Sequence, residues 1–254
     1  MTKALSKAYR LMLIILLVAA GGGLDRSGVI TYLSDPFEFQ YTLHLAVQHL
    51  TLVGVSMLGA TVLGLSVGIV LTRPGFKKYT HIVMYIVGLG QTIPSLAVIA
   101  LAMSFMGIGF KPAVFALFVY SVLPIARNTL AGITAVPSWI IDAAQGMGMS
   151  NTRILWHIEL PNAMKVILTG FRIALVINIG TAALAFLIGA GGLGEQIFTG
   201  IDLDRADKLL AGAIPTTLLA LGADYAVQLA GQQMVGDLDD VHLRSSFVEG
   251  AGRL

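Results

Sequence analysis

Four long stretches of this 254-residue chain contain no Asp, Glu, Lys or Arg, and they constrain its fold more than any other feature. A membrane-spanning helix needs about 20 mostly apolar residues, so three stretches are long enough alone and the fourth needs its less apolar flank. A soluble protein could bury one such helix but not so many. The sequence therefore predicts a polytopic membrane protein. The stretches are Leu45–Thr72, Tyr79–Phe110, Ile173–Gly194 and Leu209–Ala223.

Hydropathy, together with the positions of glycine and proline, predicts an all-α integral membrane protein with about six transmembrane helices. Inside lipid each segment must hydrogen-bond its own backbone, which favours helices, and the sequence lacks the alternation of a β-barrel. Charged residues make up only 12% of the chain, against about a quarter in an ordinary soluble domain. The predicted spans are Tyr9–Leu24, His49–Leu71, Thr80–Met106, Pro112–Thr129, Ala163–Gly189 and Lys208–Met234.

The basic residues predict the orientation of these spans. With both termini in the cytoplasm, most Lys and Arg lie inside, as the positive-inside rule requires. We therefore expect a multi-pass protein of the cell inner membrane, in contact with lipid. The net charge of +2 gives no indication of a nucleic-acid partner. The basic residues left outside are Arg26, Lys111, Arg205 and Lys208.

The predicted domains are an N-terminal helix with a periplasmic link over residues 1–35, a transmembrane domain over 36–235 and a cytoplasmic tail over 236–254. The basic start and apolar Leu11–Ala20 also fit a cleaved signal peptide, although we favour an uncleaved first helix. The chain contains no cysteine, which excludes disulfides and cysteine metal sites. We expect no metal site.

The long segment between the fourth and fifth predicted spans has the pattern of two short helices lying on the membrane surface. Ser138 would cap a helix over Trp139–Met147, and Gly148 would supply a turn with positive φ. Ser150 would cap a second short helix, which Pro161 closes. Residues at helical spacing would give the first helix an apolar face, consisting of Ile140, Ala143, Ala144 and Met147.

Seven residues of this segment, at fixed separations, resemble the cytoplasmic loop by which permease subunits of bacterial ABC importers engage their ATPase. The family usually has Glu at the first of the seven positions, where this chain keeps the charge with a shorter Asp. The resemblance implies the fold of a type I ABC importer permease and assigns ATPase coupling to these residues. They are Asp142, Ala143, Ala144, Gly148, Ile158, Leu160 and Pro161.

Further stretches, covering about residues 45–230, resemble the osmoprotectant branch of the same family. This resemblance implies import of quaternary ammonium compounds such as glycine betaine, carnitine or choline. The implied partners are a dimer of ABC ATPase subunits, a second permease subunit and a solute-binding protein. ATP and Mg would bind the partner ATPase, because the chain has no G-x-x-x-x-G-K-[ST]; we expect neither a cofactor nor catalysis here. The stretches are Gln91–Leu96, Gly107–Pro112, Leu123–Thr129, Gly180–Ala182, Ile188–Gly194 and Leu210–Pro215.

Polar and helix-breaking residues inside the spans are the candidates for the translocation path and its gate. Polar side chains in apolar runs should face the bundle interior or the path. Prolines should kink a helix, and glycines should allow close packing or a break. Gly189, Gly191 and Gly194 also satisfy G-x-G-x-x-G, but they follow an apolar helix and not the strand that a dinucleotide site requires. The candidates are Gln91, Pro94, Asn178, Thr181, Gly189, Gly191 and Gly192.

Several alternatives stay open. Taken singly, Trp139, Trp156 and His157 are expected to pack on their own bundle. Asp224 is an intramembrane carboxylate for which structural pairing or hydration is as good an explanation as transport. The same permease fold could import another small solute such as an amino acid. An autonomous channel or an intramembrane enzyme is less well supported, since a channel needs no coupling loop and an enzyme needs clustered titratable residues.

Overall fold

The computed structural model describes Gly22 and residues 26–251, with side chains described as far as residue 233. All regular elements in this part of the chain are helical. The predicted first span Tyr9–Leu24, and with it the signal-peptide alternative, lies outside the described residues apart from Gly22. Short 3-10 or π-helical turns cover Lys77–Tyr79, Leu155–Glu159 and Ala183–Ile188. The α-helices are α1 (Val29–Ser34), α2 (Pro36–Thr72), α3 (Thr80–Thr92), α4 (Ser95–Met106), α5 (Phe110–Thr134), α6 (Ser138–Gly146), α7 (Asn151–Ile154), α8 (Leu160–Ala182), α9 (Gly194–Asp202) and α10 (Ala206–Ala251).

Four described helices are long and apolar enough to cross a membrane, and one bent pair could supply a fifth crossing. The predicted all-α membrane fold is therefore confirmed. The last helix also runs without a break through the predicted domain boundary at residue 235. The four candidate spans are Pro36–Thr72, Phe110–Thr134, Asn151–Ile188 and Ala206–Gln233.

Helix α2 begins well before the predicted start at His49. Asp35 caps it, because its side chain accepts hydrogen bonds from the backbone N–H groups of Phe37 (2.8 Å) and Glu38 (3.2 Å). Pro36 occupies the first turn, where its missing N–H costs nothing. The result is a 37-residue helix, about 55 Å long at 1.5 Å per residue, which reaches beyond the apolar run on which the prediction was based.

The predicted span Thr80–Met106 is wrong as a single helix, because it breaks into α3 and α4, which are bent by 96°. Pro94 lacks an N–H and disfavours helical geometry at the preceding residue, and Ile93 is accordingly extended (φ −79°, ψ 134°). The carbonyl of Ile93 accepts a hydrogen bond from the Tyr120 hydroxyl, and Gln91 donates to the Tyr120 carbonyl at 2.8 Å. Helix α5 thus satisfies the backbone at the break, as lipid depth requires.

Helices α2, α5 and α8 form the centre of the bundle, and glycines set their close approach. A β-carbon on Gly64 would lie 2.8 Å from Ile125, and one on Gly68 would lie 2.5 Å from Thr129. A β-carbon on Gly170 of α8 would likewise lie 2.5 Å from α5. Small residues at such positions let membrane helices pack backbone against backbone.

A buried polar network joins the same three helices. The Asn178 side chain of α8 is fully buried and donates to the hydroxyls of Ser56 on α2 (2.9 Å) and Ser121 on α5 (2.7 Å). It also contacts the Leu117 carbonyl at 3.4 Å. Asn178 was predicted to face the bundle interior or the path. The structure places it in the interior, where it joins three helices.

The bundle has two ends, which we name by the short helices found there. At the α6 end, α2 finishes beside α6 and α7. At the α9 end, α8 passes through the turn Ala183–Ile188 into the glycine loop, residues 189–192, which leads into α9. The glycine loop packs against the first half of α2, since the Gly192 N–H donates to Gln48 Oε1 at 3.1 Å.

Candidate functional site

The predicted helix–turn–helix is present at the α6 end of the bundle. Helix α6 covers Ser138–Gly146, with Pro137 as the residue before its first turn. The predicted capping by Ser138 is wrong, since Ser138 is already helical and the helix has no side-chain cap. Ser150 does stand in the extended N-cap position of α7, but its side chain makes no capping hydrogen bond.

Gly148 makes the turn between α6 and α7 with a φ of +79°, as predicted. The Met149 N–H donates to the Ala144 carbonyl (3.1 Å) and the Gly148 N–H to the Gln145 carbonyl (2.9 Å). These two bonds are the Schellman arrangement that ends a helix on a left-handed residue. The turn is therefore encoded by the conformational freedom of Gly148, and α7 leaves α6 at a defined angle.

Helix α6 turns a mixed face outward. Asp142 and Ala143 are exposed, and the Met147 side chain is 75% exposed. Ala144 is fully buried by its own chain, so the expected apolar face of the helix is divided between the bundle and the outside. Of the two adjacent alanines predicted to admit a partner, Ala143 is available for contact and Ala144 supports the helix from behind.

The expectation that Trp139 and Trp156 pack on their own bundle is wrong. Their exposed fractions are 70% and 62%, large values for the biggest apolar side chain. The His157 side chain is exposed, and its Nδ1 lies 3.1 Å from the Arg153 carbonyl. Both tryptophans are therefore left uncovered by the chain itself at this end of the bundle.

Pro161 does not close the second short helix. The chain continues from α7 through the π-helical turn Leu155–Glu159 into α8 with Pro161 in its first turn, so Asn151–Ile188 forms one continuous helical stretch. The wider π turn changes the hydrogen-bond pattern where proline has no N–H to offer, which removes the expected helix end. Ile158 and Leu160, two further residues of the predicted coupling pattern, flank Glu159 at this transition.

Glu159 makes a structural contact in this region that the sequence did not predict. Its carboxylate is buried and pairs with the guanidinium of Arg73 at 2.5 Å, joining the π turn to the end of α2. Arg73 also donates to the Thr72 hydroxyl at 2.7 Å. An acidic residue between the apolar Ile158 and Leu160 indicates a charge that needs a partner, but the partner lies 86 positions away in the sequence.

The predicted path residues occupy three different environments. Gln91 and Pro94 stand at the break between α3 and α4, and Asn178 lies inside the bundle. Thr181 is partly exposed and donates to the Ile177 carbonyl of its own helix at 2.8 Å. The structure therefore does not bring these residues together into one lined channel within the single chain. Their assignment to the path stays a prediction.

The glycines predicted near the outer gate do provide close packing and a helix break. Gly189, Gly191 and Gly192 all have positive φ, between 74° and 89°. A β-carbon on Gly191 would lie 2.3 Å from Gln48 Oε1, so no other residue fits there without movement. The loop follows a helical turn and not a strand, which removes the structural context of a dinucleotide site.

The α9 end also carries a set of hydrogen bonds between α2 and α9. Tyr41 donates to the Glu195 carboxylate, and buried Gln196 donates to the Thr42 hydroxyl at 2.7 Å. Nearby Tyr32 donates to Glu38 at 2.5 Å, and burial, with the Glu38 carboxylate second, raises the pKa of this phenol. Tyr32 therefore stays protonated over the physiological range.

Asp224 is paired. Its two carboxylate oxygens accept hydrogen bonds from Arg172 Nε and Nη2, both at 2.8 Å, which joins α10 to α8. Both side chains remain about one third exposed, at 30% and 34%. The structural explanation is sufficient for Asp224, because bidentate pairing satisfies a carboxylate that lipid depth would otherwise penalise.

Comparison with known proteins identifies the family to which this fold and segment belong. The family described as "Binding-protein-dependent transport system inner membrane component" matches residues 60–235. The chain belongs to this family. The match contains the α6–α7 turn, the π turn and the glycine loop, so all the predicted coupling and path residues lie within the family's own domain.

Curated relatives of this inner membrane component are permeases. The chain is 49% identical over 192 residues to the "Osmoprotectant import permease protein OsmY" of Salmonella typhimurium strain LT2, covering 76% of this chain and 81% of the relative. It is 45% identical over 174 residues to the "Carnitine transport permease protein OpuCB" of Listeria monocytogenes, covering 67% and 79%. It is 38% identical over 192 residues to the "Choline transport system permease protein OpuBB" of Bacillus subtilis strain 168, covering 76% and 88%.

Solved structures of the MetNI methionine ABC transporter in inward facing conformations share the fold. One of their chains matches with a TM-score of 0.66 and 26% identity, covering 78% of this chain and 96% of that chain. A second crystal form gives a TM-score of 0.67 and 25% identity, covering 80% and 98%. The inner membrane component therefore has the type I importer fold that the resemblance implied.

Proposed function

We propose that this chain is the permease subunit of an ATP-driven importer of osmoprotectants, with quaternary ammonium compounds such as glycine betaine, carnitine or choline as its solutes. The observation that carries the solute class is the 49% identity to an osmoprotectant import permease, accompanied by carnitine and choline permeases among the relatives. The chain forms the translocation path with a second permease subunit.

The residues 138–159, which we call the coupling segment, dock on a separate ATPase. Their exposed Trp139, Asp142, Ala143 and Met147 form a surface that the chain itself leaves uncovered. The positive φ of Gly148 fixes how this surface is presented. ATP and Mg bind a dimer of ATPase subunits, a solute-binding protein delivers the solute, and this chain performs no catalysis. ATP binding shifts the two permease subunits between two states as rigid bodies.

The α6 end faces the cytoplasm in this proposal, and both termini lie on that side of the inner membrane. The charge distribution supports this orientation, because short loops rich in Lys and Arg stay inside. The α9 end then faces the solute-binding protein. Basic residues of the α6 end are Arg73, Lys77, Lys78, Arg153 and Lys165, and those of the α9 end include Lys111, Arg205 and Lys208.

Import of an amino acid is the second candidate, and the observation that favours it is the fold shared with the methionine transporter. One uptake experiment separates the two. Cells carrying this chain with its candidate ATPase and binding protein receive labelled glycine betaine, carnitine, choline or methionine. We expect energy-dependent uptake of at least one of the three ammonium compounds. Uptake of methionine alone would move the chain to the second candidate.

The assignment of ATPase docking to the coupling segment is tested with separate variants in the same cells. Ala143→Glu places a charge and bulk on the exposed docking surface, whereas Ala143→Ser is the matched small replacement. We expect uptake to collapse in the glutamate variant and to persist in the serine variant, with equal amounts of protein in the membrane. Normal uptake by Ala143→Glu would contradict docking through α6.

A further inference from the structure

The pair of Arg73 and Glu159 joins two parts of the chain that the sequence keeps far apart. Glu159 is 8% exposed, and its carboxylate pairs with the guanidinium of Arg73 at 2.5 Å. The guanidinium also donates to the Thr72 hydroxyl, from Nε at 3.0 Å and from Nη2, the nitrogen that pairs with Glu159, at 2.7 Å. The Arg73 end of the bridge is therefore fixed in orientation.

The Glu159 end of the bridge lies where the coupling segment becomes a membrane helix. Glu159 is the last residue of the π turn Leu155–Glu159, directly before α8. A cavity of about 220 Å³ opens beside the pair, between the end of α2 and the helices α6 and α7. Its lining includes Ile141 and Gln145 of α6, so α6 does not pack tightly on the end of α2. The ion pair bridges the edge of this cavity.

The Arg73 end of the bridge directly follows an uninterrupted candidate span, α2. Among the described residues, α2 contains no proline after its first turn and no interruption, whereas α5 contains Pro124, α10 contains Pro215 and α3–α4 is broken. In its first half α2 is attached to the glycine loop through Gln48 and Gly192. A displacement applied at Arg73 therefore reaches the α9 end through a continuous helix.

We propose that Arg73 and Glu159 are positioning residues that fasten the coupling segment to α2, so that movement imposed on α6 by the ATPase moves α2 with it. This inference rests on the proposed docking of the coupling segment on an ATPase. A buried ion pair is weak evidence for stability, because apolar residues of similar size often replace one without loss. Separating the two charges is costly, however, because it leaves a buried carboxylate without a partner. The pair therefore resists separation, and it connects α2 to the coupling segment where the cavity leaves α6 without tight packing on α2.

The test uses the full permease with its ATPase and binding protein in proteoliposomes. The variants are Arg73→Gln, Glu159→Gln and the exchanged pair Arg73→Glu with Glu159→Arg. Lys77→Gln is the matched control, because Lys77 is an exposed basic residue of the same α2–α3 connection. Two quantities are measured for each: ATP hydrolysed, and solute imported per ATP, with whichever of glycine betaine, carnitine or choline the wild type imports.

We expect both single variants to hydrolyse ATP and to import about tenfold less solute per ATP, since each removes one partner of a buried pair. The exchanged pair should recover most of the lost ratio, and Lys77→Gln should match the wild type. Singles that match the wild type would overturn the inference. So would singles in which hydrolysis and import fall in equal proportion, or an exchanged pair without recovery. If Arg73→Gln fails to accumulate, Glu159→Gln still decides, because its amide has the size of the carboxylate and removes only the negative charge.

A second readout is independent of the solute. The chain has no cysteine of its own, so spin labels can be placed on Phe37→Cys in α2 and Ser138→Cys at the first residue of α6, both at exposed positions outside the proposed docking surface. In the ATPase complex, ATP should leave the distance between the two labels unchanged when the pair is intact and should broaden it in Arg73→Gln. Equal distances in both backgrounds would overturn the inference. Failure of the proposed solute class would appear only in the uptake measurement.

Discussion

Replacing Gly148 tests the turn between α6 and α7, because the φ angle of this residue sets the free-energy cost of a substitution. Gly148 has φ +79°, and no heavy atom lies within 4 Å of where its β-carbon would be. A substitution there therefore meets no steric obstacle and costs only backbone energy. That cost is about 1–2 kcal/mol for an ordinary L-residue in the left-handed region. Asn tolerates this region better than Ala, and β-branched Val tolerates it least.

This energy converts into an expected loss of docking. If the ATPase binds the turn as the structure has it, 1–2 kcal/mol weakens association by about 5- to 30-fold. We expect affinity for the ATPase to fall in the order Gly, Asn, Ala, Val at position 148, with ATP-driven uptake following the same order. The assay is a titration of labelled ATPase against the permease in nanodiscs, followed by uptake in cells.

Gly146 provides the matched control. It is the last residue of α6, it also has open space at its β-carbon position, and it lacks the positive φ. Gly146→Ala should keep or slightly improve the stability of the helix, by about 0.5–1 kcal/mol. Equal losses of affinity in Gly146→Ala and Gly148→Ala, or a Val variant at position 148 that binds like the wild type, would refute the argument from backbone conformation.

Three further predictions concern the bundle. Asn178→Ala should lower the stability of the purified permease by about 1 kcal/mol, measured as thermal unfolding in detergent, because it removes the hydrogen bonds that join three helices; an unchanged transition would contradict this. Gly191→Ala should lower the unfolding temperature, whereas Gly180→Ala, with open space around it, should not; equal effects would show that loop packing is not responsible. Asp224→Asn should reduce the amount of folded protein in the membrane by removing the negative charge that pairs with Arg172, and adding Arg172→Gln should restore it, as fluorescence-detected size exclusion can measure; no restoration would assign the effect to another contact.

The features that depend on local sequence were predictable. The charge-free runs predicted the spans because burial of long apolar helices needs a membrane whatever their arrangement. Gly148 predicted the left-handed turn because no other residue adopts that conformation at so little cost. Pro94 predicted a distortion of the third span, but not its size. At the 96° bend the Ile93 carbonyl accepts a hydrogen bond from the Tyr120 hydroxyl of another helix, and this contact is not visible in the local sequence.

The features that depend on how helices face one another were not predictable. Ala143 and Ala144 are adjacent and chemically identical, yet one is exposed and the other fully buried, because the rotation of α6 against the bundle decides which faces outward. The pairing of Arg73 with Glu159 requires the end of α2 to meet the π turn Leu155–Glu159. The interior position of Asn178 depends likewise on the hydroxyls that α2 and α5 place opposite it. A single sequence does not show which helix faces lie opposite one another.

Helix α2 makes two kinds of contact, and this difference predicts how substitutions will divide. Gly64 and Gly68 pack against α5 without directional bonds, so a larger residue there separates the helices and lowers the stability of the whole bundle. Gln48 and Arg73, on either side of these glycines, make directional contacts with the glycine loop and the coupling segment. Loss of either polar contact leaves the packing at the two glycines intact. Stability should therefore follow changes at Gly64 and Gly68, and solute imported per ATP should follow changes at Arg73.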